Sequence, residues 1–304
     1  MSILYLHETG DKNVAEVRLA LGTAQFGMPY GIKNRRGAPE DLEISQIFEL
    51  AQTHGVECLD TAVAYGNSEE RIGYLLGEKK SKFKIISKFS EKTGTGARAM
   101  LLDSLSRLRI DRLYAYMFHS YEHFQSHPEQ FNELLSLKSQ GLVEKVGFSL
   151  YHPHEYHDIV ERGIKVDIVQ VPFSVLDQRF LPLFENMRQQ GTEVHVRSLF
   201  LQGLLLMEPQ QMNSSFESVA TSMRRVRSFC DERGLSLVSF LMAWARRQKG
   251  ISDVVVGVDG LSDFQENLKH WTAAKDPEFD RFDFSALANS DLNILIPMNW
   301  KTAK

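Results

Sequence analysis

The sequence predicts a single (β/α)8 TIM barrel, a closed parallel α/β fold. Eight short runs rich in apolar residues alternate with longer amphipathic runs, and this alternation is typical of a parallel sheet covered by helices. Several of the short runs are apolar almost throughout, as strands buried on both faces are. The predicted strands are, in order, Arg18–Gly22, Cys58–Asp60, Lys84–Ser87, Leu113–Phe118, Val143–Phe148, Ile168–Val171, Val194–Val196 and Asp253–Val256.

The longer runs carry apolar residues at helical spacing, and glycines such as Gly55 and Gly141 follow them. A glycine directly after an amphipathic run is a common helix stop. The predicted helices are Glu40–Thr53, Ala97–Arg109, Phe131–Ser139, Leu181–Arg188 and Val219–Glu232.

An open, doubly wound sheet is the competing topology. Such a sheet places G-x-G-x-x-G after an early strand, with an acidic residue about 20 positions later, and the sequence lacks this pattern. A chain of 304 residues suggests two domains at about 150 residues each, but α/β barrels exceed that size. No linker interrupts the pattern. We therefore expect one domain over residues 1–304, with 276–304 as an extension over or beside the barrel.

The composition excludes several classes of protein. A net charge of −4 gives no electrostatic basis for binding nucleic acid. The only cysteines, Cys58 and Cys230, exclude a disulfide framework and a cysteine-based zinc cluster. No apolar run is long enough to cross a membrane, and the N-terminal residues lack a basic segment followed by a long apolar one. We expect a cytoplasmic protein; the sequence does not determine its oligomeric state.

Polar residues follow three consecutive predicted strands at their carboxyl ends, where barrel enzymes hold their catalytic groups. Asp60 ends the second strand, Lys88 follows the third, and His119 follows the fourth. Tyr65 lies shortly after Asp60 in a loop that contains Gly66. Because neighbouring barrel strands end side by side, we expect the four side chains to meet in one mouth.

These four residue types form a coherent set for carbonyl chemistry. Tyrosine has an ordinary pKa near 10, which a neighbouring ammonium lowers. A carboxylate keeps that ammonium charged, and a histidine can donate to the oxygen that the tyrosine protonates. Each residue also has a common structural role: Asp60 as a helix cap, Lys88 as a solvated lysine, His119 as a core histidine and Tyr65 as a loop tyrosine. The combination, in strand order, favours the chemical interpretation.

The sequence resembles the aldo-keto reductase superfamily over nearly its whole length. The matching stretches are LGTAQFG at 21–27, LDTAVAYGNSEERIG at 59–73, IISKF at 85–89, MFHS at 117–120, VEKVGFS at 143–149, VQVPFSVLD at 169–177 and VVVGVDGLSDFQENL at 254–268. The resemblance implies a barrel that transfers hydride from NAD(P)H without a metal. It makes Tyr65 the general acid/base, Lys88 the modulator of its pKa, Asp60 the partner of Lys88, and His119 the group that orients the carbonyl.

The resemblance also implies a set of cofactor-binding residues. They are Gly22 and Thr23 in the first stretch, Ser149 and Gln170 at the nicotinamide carboxamide, Ser198 and Gly203 at the pyrophosphate, and Gly257 and Asn267 at the adenosine.

Two residues depart from the family pattern at the nicotinamide end. Leu150 stands where the family often has asparagine, which removes one hydrogen bond. Arg197 stands where many members stack a tyrosine on the nicotinamide. A guanidinium can also stack, but its charge disfavours the oxidised ring, so we expect tighter binding of the reduced cofactor. The alternative is that Arg197 turns outward to solvent.

A third departure concerns the ribose of the adenosine. Many relatives bind a 2′-phosphate with lysine or arginine in this segment, whereas this chain has Asp259 and Asp263. A carboxylate repels a phosphate and accepts a hydrogen bond from a hydroxyl. We therefore expect NADH to be used at least as well as NADPH, unless Lys269 or Arg246 supplies the missing charge.

These observations predict an NAD(P)(H)-dependent oxidoreductase that reduces a small aldehyde or ketone, or oxidises the alcohol. A cofactor-binding redox sensor without catalysis, on the same barrel, is the alternative. The histidines of residues 151–157 fit the start of a helix better than a metal site, so we expect no metal. Trp300 either walls the substrate pocket or packs structurally.

Overall fold

In this computed structural model, the described residues are 16–32, 34–77, 82–90, 95–273 and 281–300. Their eight parallel strands close into a barrel in chain order, as the sequence predicts. The strands are β1 Arg18–Gly22, β2 Cys58–Asp60, β3 Lys84–Phe89, β4 Leu113–Phe118, β5 Val143–Ser149, β6 Ile168–Pro172, β7 Glu193–Arg197 and β8 Asp253–Gly257.

The barrel closes between its first and last strands. Arg18 pairs with Asp253 at the amino-terminal side, and Gly22 pairs with Gly257 at the carboxyl-terminal side. Every neighbouring pair around the ring is parallel. All carboxyl ends therefore open onto one mouth, and an open doubly wound sheet is excluded.

Helices cover the barrel from outside. They are α1 Ala24–Gly27, α2 Asp41–Thr53, α3 Ser68–Leu75, α4 Ala97–Leu108, α5 Tyr121–Ser126, α6 Glu129–Ser139, α7 Pro153–Glu161, α8 Phe184–Gln189, α9 Glu217–Asp231, α10 Leu237–Arg246, α11 Leu261–Ala273 and α12 Leu292–Leu295. Among the described residues, no helix combines the length and the apolar character that crossing a membrane requires.

The structure divides one predicted helix and contains further helices that were not predicted. Leu181–Leu183 forms a 3₁₀ turn, and the α-helix α8 begins only at Phe184. The helices that were not predicted from periodicity are α1, α3, α5, α10, α11 and α12. In α10, six consecutive residues from Phe240 to Ala245 are buried.

Two apolar clusters form the core. A small one fills the barrel interior with Ala20, Cys58, Ile86, Ala115, Met117, Ile168 and Val255. The larger one fills the layer between strands and helices. In the C-terminal segment, Phe284 stacks on Trp244 of α10 with ring centroids 4.1 Å apart, and Phe282 packs on Phe229 of α9.

Candidate active site

Three of the predicted catalytic side chains lie on adjacent strands at the carboxyl end of the barrel. Asp60 is the last residue of β2, Lys88 lies near the end of β3, and His119 directly follows β4. Strand pairing places Asp60 beside Ile86 and Lys88 beside Met117. The register therefore brings these side chains together at the mouth.

Lys88 and Asp60 form a buried ion pair. Lys88 Nζ lies 2.7 and 2.8 Å from the two carboxylate oxygens of Asp60, and it also donates to the carbonyl of Thr61 at 3.0 Å. Burial lowers the pKa of Lys88, and the carboxylate of Asp60 opposes that shift. On the other side, Gln170 Nε2 donates to Asp60 Oδ1 at 2.7 Å. The carboxylate is thus held in one orientation by two partners.

The loop that carries Tyr65 is fixed by close backbone packing. A methyl group on Gly27 would lie 1.8 Å from the carbonyl oxygen of Tyr65, and one on Gly66 would lie 2.2 Å from the carbonyl oxygen of Gly27. Gly66 has φ +57°, which favours glycine. The Ser68 hydroxyl donates to the Thr23 carbonyl at 2.9 Å. Only glycines allow this approach, so they position the tyrosine.

The surroundings of Tyr65 contradict one expectation. Its ring lies edge-on to His119 with centroids 5.7 Å apart, and Lys88 Nζ is 5.3 Å from its ring centroid. The pKa of Tyr65 is raised rather than lowered, first by burial and then by the charge of Asp60. The hydrogen bonds of Lys88 go to Asp60 and Thr61, so the ammonium acts on Tyr65 only through space. Tyr65 therefore retains its proton at neutral pH.

His119 is neutral in this setting. Burial lowers its pKa to about 3, and the charges of Lys88 and Arg197 contribute in the same direction. A neutral imidazole has one N–H donor and one acceptor. The side chain can therefore donate a hydrogen bond without itself losing a charge.

A cavity of about 600 Å³ opens at this mouth. Most of the predicted site residues line it: Gly22, Thr23, Asp60, Tyr65, Gln170, Arg197, Ser198, Gly203, Gly257, Asp259, Asp263 and Asn267. Lys88 and His119 are outside the described lining, but Lys88 pairs with Asp60 and the ring of His119 contacts that of Tyr65. Ser149 is buried at the end of β5 beside Gln170, outside the described lining.

The cavity fits a polar ligand such as a dinucleotide. Its volume lies within the range of about 300 to 1,000 Å³ that small-molecule sites occupy. Gln25, which the sequence analysis missed, lines it with a buried Oε1 that has no hydrogen-bond partner among the described residues. A methyl on Gly257 would lie 2.6 Å from that oxygen. Glycine at this position therefore keeps the space beside the amide open.

Asp259 stands at the same end of the cavity. Gln25 Nε2 donates to its Oδ1 at 3.4 Å. Burial raises the pKa of Asp259, and the neighbouring Asp263 adds to the shift. Neither Arg246 nor Lys269, the two residues that could have supplied a positive charge for a 2′-phosphate, lines the cavity beside Asp259. Arg246 pairs with Glu16, and Lys269 is exposed near Glu266.

Arg197 faces the cavity rather than solvent. Its guanidinium lies 4.2 Å from the ring centroid of Tyr151 and donates to the Leu150 carbonyl at 3.3 Å. Leu150 is fully buried and presents only its backbone here. The two residues that depart from the family pattern are therefore in contact.

The loop after β7 has an unusual backbone. Ser198, Leu201 and Gln202 have positive φ, as does Gly203. Gln202 Nε2 donates to the Tyr30 hydroxyl at 3.1 Å, and the Gln202 carbonyl accepts from Ile32 N at 3.2 Å. The loops after β1 and β7 thus meet beside the cavity.

Trp300 lies away from the cavity. Its ring packs edge-on against Phe216 at 5.2 Å, and its Nε1 donates to the Ile294 carbonyl at 2.8 Å. It is not part of the described lining, so its role here is structural packing.

One group of described residues has the spacing of a metal site, at the opposite end of the barrel. Glu193, His195 and Asp253 bring donor atoms within 4.8 Å of one another. Arg18 already pairs with Asp253 at 2.6 Å, and Lys145 pairs with Glu193. The two carboxylates are therefore neutralised by the chain itself, and the absence of a metal stays a prediction.

The closed parallel barrel defines the TIM-barrel class, and a buried lysine–aspartate pair, a tyrosine and a histidine lie together at its carboxyl mouth. A model of the Aldo/keto reductase family matches residues 18–284, so the chain belongs to that family. It is an oxidoreductase of this family, whose members generally use NAD(P)H.

Among its relatives, an L-galactose dehydrogenase of Arabidopsis thaliana is 21% identical over 291 residues, which is 88% of this chain and 88% of that protein. A methylglyoxal reductase of Yersinia pestis is 29% identical over 159 residues, covering 50% of this chain and 56% of its own. The solved structure of an aldo-keto reductase from Bacillus halodurans, in its holo form, superposes with a TM-score of 0.72 at 19% identity over 93% of this chain and 95% of that one. A glycerol dehydrogenase of Gluconobacter oxydans gives 0.69 at 20% identity, over 93% of each chain. These two structures show the shared fold.

Proposed function

We propose that the chain binds NAD(P)H in the 600 Å³ cavity and reduces a small aldehyde or ketone, with Tyr65 as the proton donor; the reverse alcohol oxidation uses the same groups. The observation that carries the proposal is the cluster of Tyr65, His119 and the buried Lys88–Asp60 pair beside this cavity. The relatives named for methylglyoxal reduction and L-galactose dehydrogenation support a small carbonyl substrate.

The reduced dinucleotide, when bound, supplies the hydride to the carbonyl carbon. Tyr65 gives its hydroxyl proton to the carbonyl oxygen as negative charge develops there. Tyr65 carries that proton at neutral pH, and the Lys88 ammonium, 5.3 Å from its ring centroid, would stabilise the phenolate that remains. His119, neutral at this pH, donates its N–H to the same oxygen and orients it. Solvent returns the proton to Tyr65.

The remaining predicted residues hold the cofactor in this proposal. Gln170 uses its amide nitrogen on Asp60, which leaves its Oε1 for the nicotinamide carboxamide beside Ser149. Arg197, whose guanidinium lies 4.2 Å from the Tyr151 ring centroid, would stack on the nicotinamide. Thr23, Gly22, Ser198 and Gly203 take the central part of the dinucleotide, and Gly257 and Asn267 take the adenosine.

We propose that NADH is used at least as well as NADPH. The carboxylates of Asp259 and Asp263 line the adenosine end, where they accept hydrogen bonds from ribose hydroxyls and repel a 2′-phosphate. Initial rates with both cofactors, at equal concentration, test this. A strong preference for NADPH contradicts it.

Turnover by wild type and Tyr65→Phe tests the catalytic proposal. NAD(P)H absorbance is followed with a panel of aldehydes and ketones, and cofactor binding is measured by fluorescence. The expected result is turnover that falls by at least about a hundredfold in the variant while cofactor affinity is retained. Tight cofactor binding without turnover of any carbonyl supports a redox sensor instead.

We also propose that residues 1–304 form one domain, with 276–304 as an extension over or beside the barrel; residues 1–15 at the start of the domain, and 276–280 and 301–304 within the extension, lie outside the described residues. The packing of Phe282 and Phe284 on α9 and α10 supports this arrangement. A cytoplasmic location stays a prediction; it agrees with two cysteines, Cys58 and Cys230, that are both free and buried. Limited proteolysis that leaves a single resistant core checks the one-domain proposal.

A further inference from the structure

The adenosine end of the cavity is strongly acidic. Asp259, Asp263 and Glu266 line it, and Arg197, at the other end, is the only arginine or lysine among the described lining residues. His270 is the remaining titratable group here, and burial lowers its pKa. An anionic ligand group at this end therefore meets carboxylates without a compensating cation.

An arginine does lie close to this end, but a carboxylate occupies it. Arg36 Nη1 and Nη2 donate to the two carboxylate oxygens of Glu43 at 3.3 and 3.0 Å. Both groups lie directly over Gly260, because a methyl there would be 2.4 Å from Arg36 Nη1 and 2.4 Å from Glu43 Oε1. The charge of Arg36 reaches Asp259, where it opposes part of the rise in pKa that burial and Asp263 cause. The pair thus fills the place that a side chain at position 260 would take.

Glu43 also occupies the start of a helix. Its Oε1 accepts a hydrogen bond from the backbone N–H of Leu261, the first residue of α11, at 2.8 Å. The free N–H groups and the dipole at a helix N-terminus attract anions, and phosphates commonly bind there. In this chain one such N–H and the neighbouring guanidinium are satisfied by the same carboxylate. Glu43 and Leu261 come from opposite ends of the sequence, so this contact depends on the closed barrel.

We propose that Glu43 is a cofactor-specificity residue that excludes a phosphate from the ribose 2′-position. It adds a negative charge beside Asp259 and Asp263, and it takes both groups that a 2′-phosphate would use, Arg36 and the N–H of Leu261. The inference rests on the proposed binding of a nicotinamide dinucleotide in this cavity. It goes beyond that proposal by assigning the selection to a residue of α2, outside the cofactor segment.

A purely structural clamp between α2 and α11 is the competing explanation. In that case removal of Glu43 lowers stability and changes the affinity for all adenosine ligands equally. If Glu43 instead excludes a phosphate, its removal frees Arg36, and only the 2′-phosphorylated ligands bind more tightly. The two explanations therefore differ in a ratio of affinities, not in stability.

The experiment measures binding of 5′-AMP and 2′,5′-ADP by calorimetry, so it needs no turnover. The variants are Glu43→Gln, which removes the charge but keeps an oxygen for Leu261, and Glu43→Ala, which also removes that oxygen. Glu70→Gln, an exposed carboxylate in the first turn of α3, is the matched control. A double variant, Glu43→Ala with Arg36→Met, tests whether Arg36 is the source of any increase in affinity for 2′,5′-ADP.

Wild type is expected to prefer 5′-AMP. In Glu43→Ala the affinity for 2′,5′-ADP should rise at least about tenfold relative to 5′-AMP, with a smaller rise in Glu43→Gln. The double variant should lose the gain, and Glu70→Gln should match wild type. An unchanged ratio in Glu43→Gln and Glu43→Ala overturns the inference; if Glu43→Ala does not fold, the ratio in Glu43→Gln decides. If wild type binds neither the fragments nor NADH, the proposed cofactor site fails instead.

Discussion

Gly27→Ala tests whether backbone packing positions Tyr65. The new methyl would lie 1.8 Å from the Tyr65 carbonyl oxygen and 2.5 Å from Ser68 N, whereas a Cβ atom essentially never lies within 3.0 Å of a non-bonded heavy atom. The loop must therefore retreat by about 1 Å. A misplacement of about 1 Å in a catalytic group costs about a hundredfold in rate. We expect kcat to fall by that factor while the affinity for NADH changes little.

Gly250→Ala is the matched control. It also creates a backbone clash, 2.5 Å from the Phe184 carbonyl carbon, and it forces a residue with φ +92°. It precedes β8 at the amino-terminal side of the barrel, away from the cavity. We expect lower stability but nearly normal kcat from this variant. If Gly27→Ala keeps its rate within about threefold of wild type, or loses no more than Gly250→Ala, the argument about Tyr65 is wrong.

Three further predictions follow from the charges at the site. Because burial lowers the pKa of His119 to about 3, the unfolded chain binds a proton that the folded chain does not, so stability falls as pH falls below about 6.5. In urea denaturation, the free energy of unfolding should fall by about 2 kcal/mol between pH 7 and pH 5 because of this residue. This part of the pH dependence should be absent from His119→Gln. Asp60→Asn leaves the Lys88 ammonium buried without its counter-ion and should lower the free energy of unfolding by about 3–5 kcal/mol. Adding Lys88→Met to this variant should recover part of that loss. If the losses of the two single variants simply add in the double variant, the two side chains do not stabilise each other. Arg197→Met should lower the preference for NADH over NAD⁺ about tenfold in direct binding, and an unchanged ratio speaks against Arg197 under the nicotinamide.

The barrel and its mouth follow from the sequence because both depend on short-range pattern. Apolar runs such as Ile168–Val171 predict strands that are covered on both faces, and the strand β6, Ile168–Pro172, is buried throughout. The order of strands then places Asp60, Lys88 and His119 at one end without any knowledge of packing. Not every helix was found in this way: α10, which has six consecutive buried residues, was not predicted.

By itself, then, the sequence determined the barrel, the residues at its mouth and the family resemblance. Only the tertiary structure decided how those residues are partnered: Gln170 on Asp60, and Glu43 with Arg36 over Gly260. It also places Tyr65 where burial and the charge of Asp60 raise its pKa, while the hydrogen bonds of Lys88 go to Asp60 and Thr61. Desolvation and contacts between distant segments arise only when the barrel closes, and no local pattern in the chain encodes them.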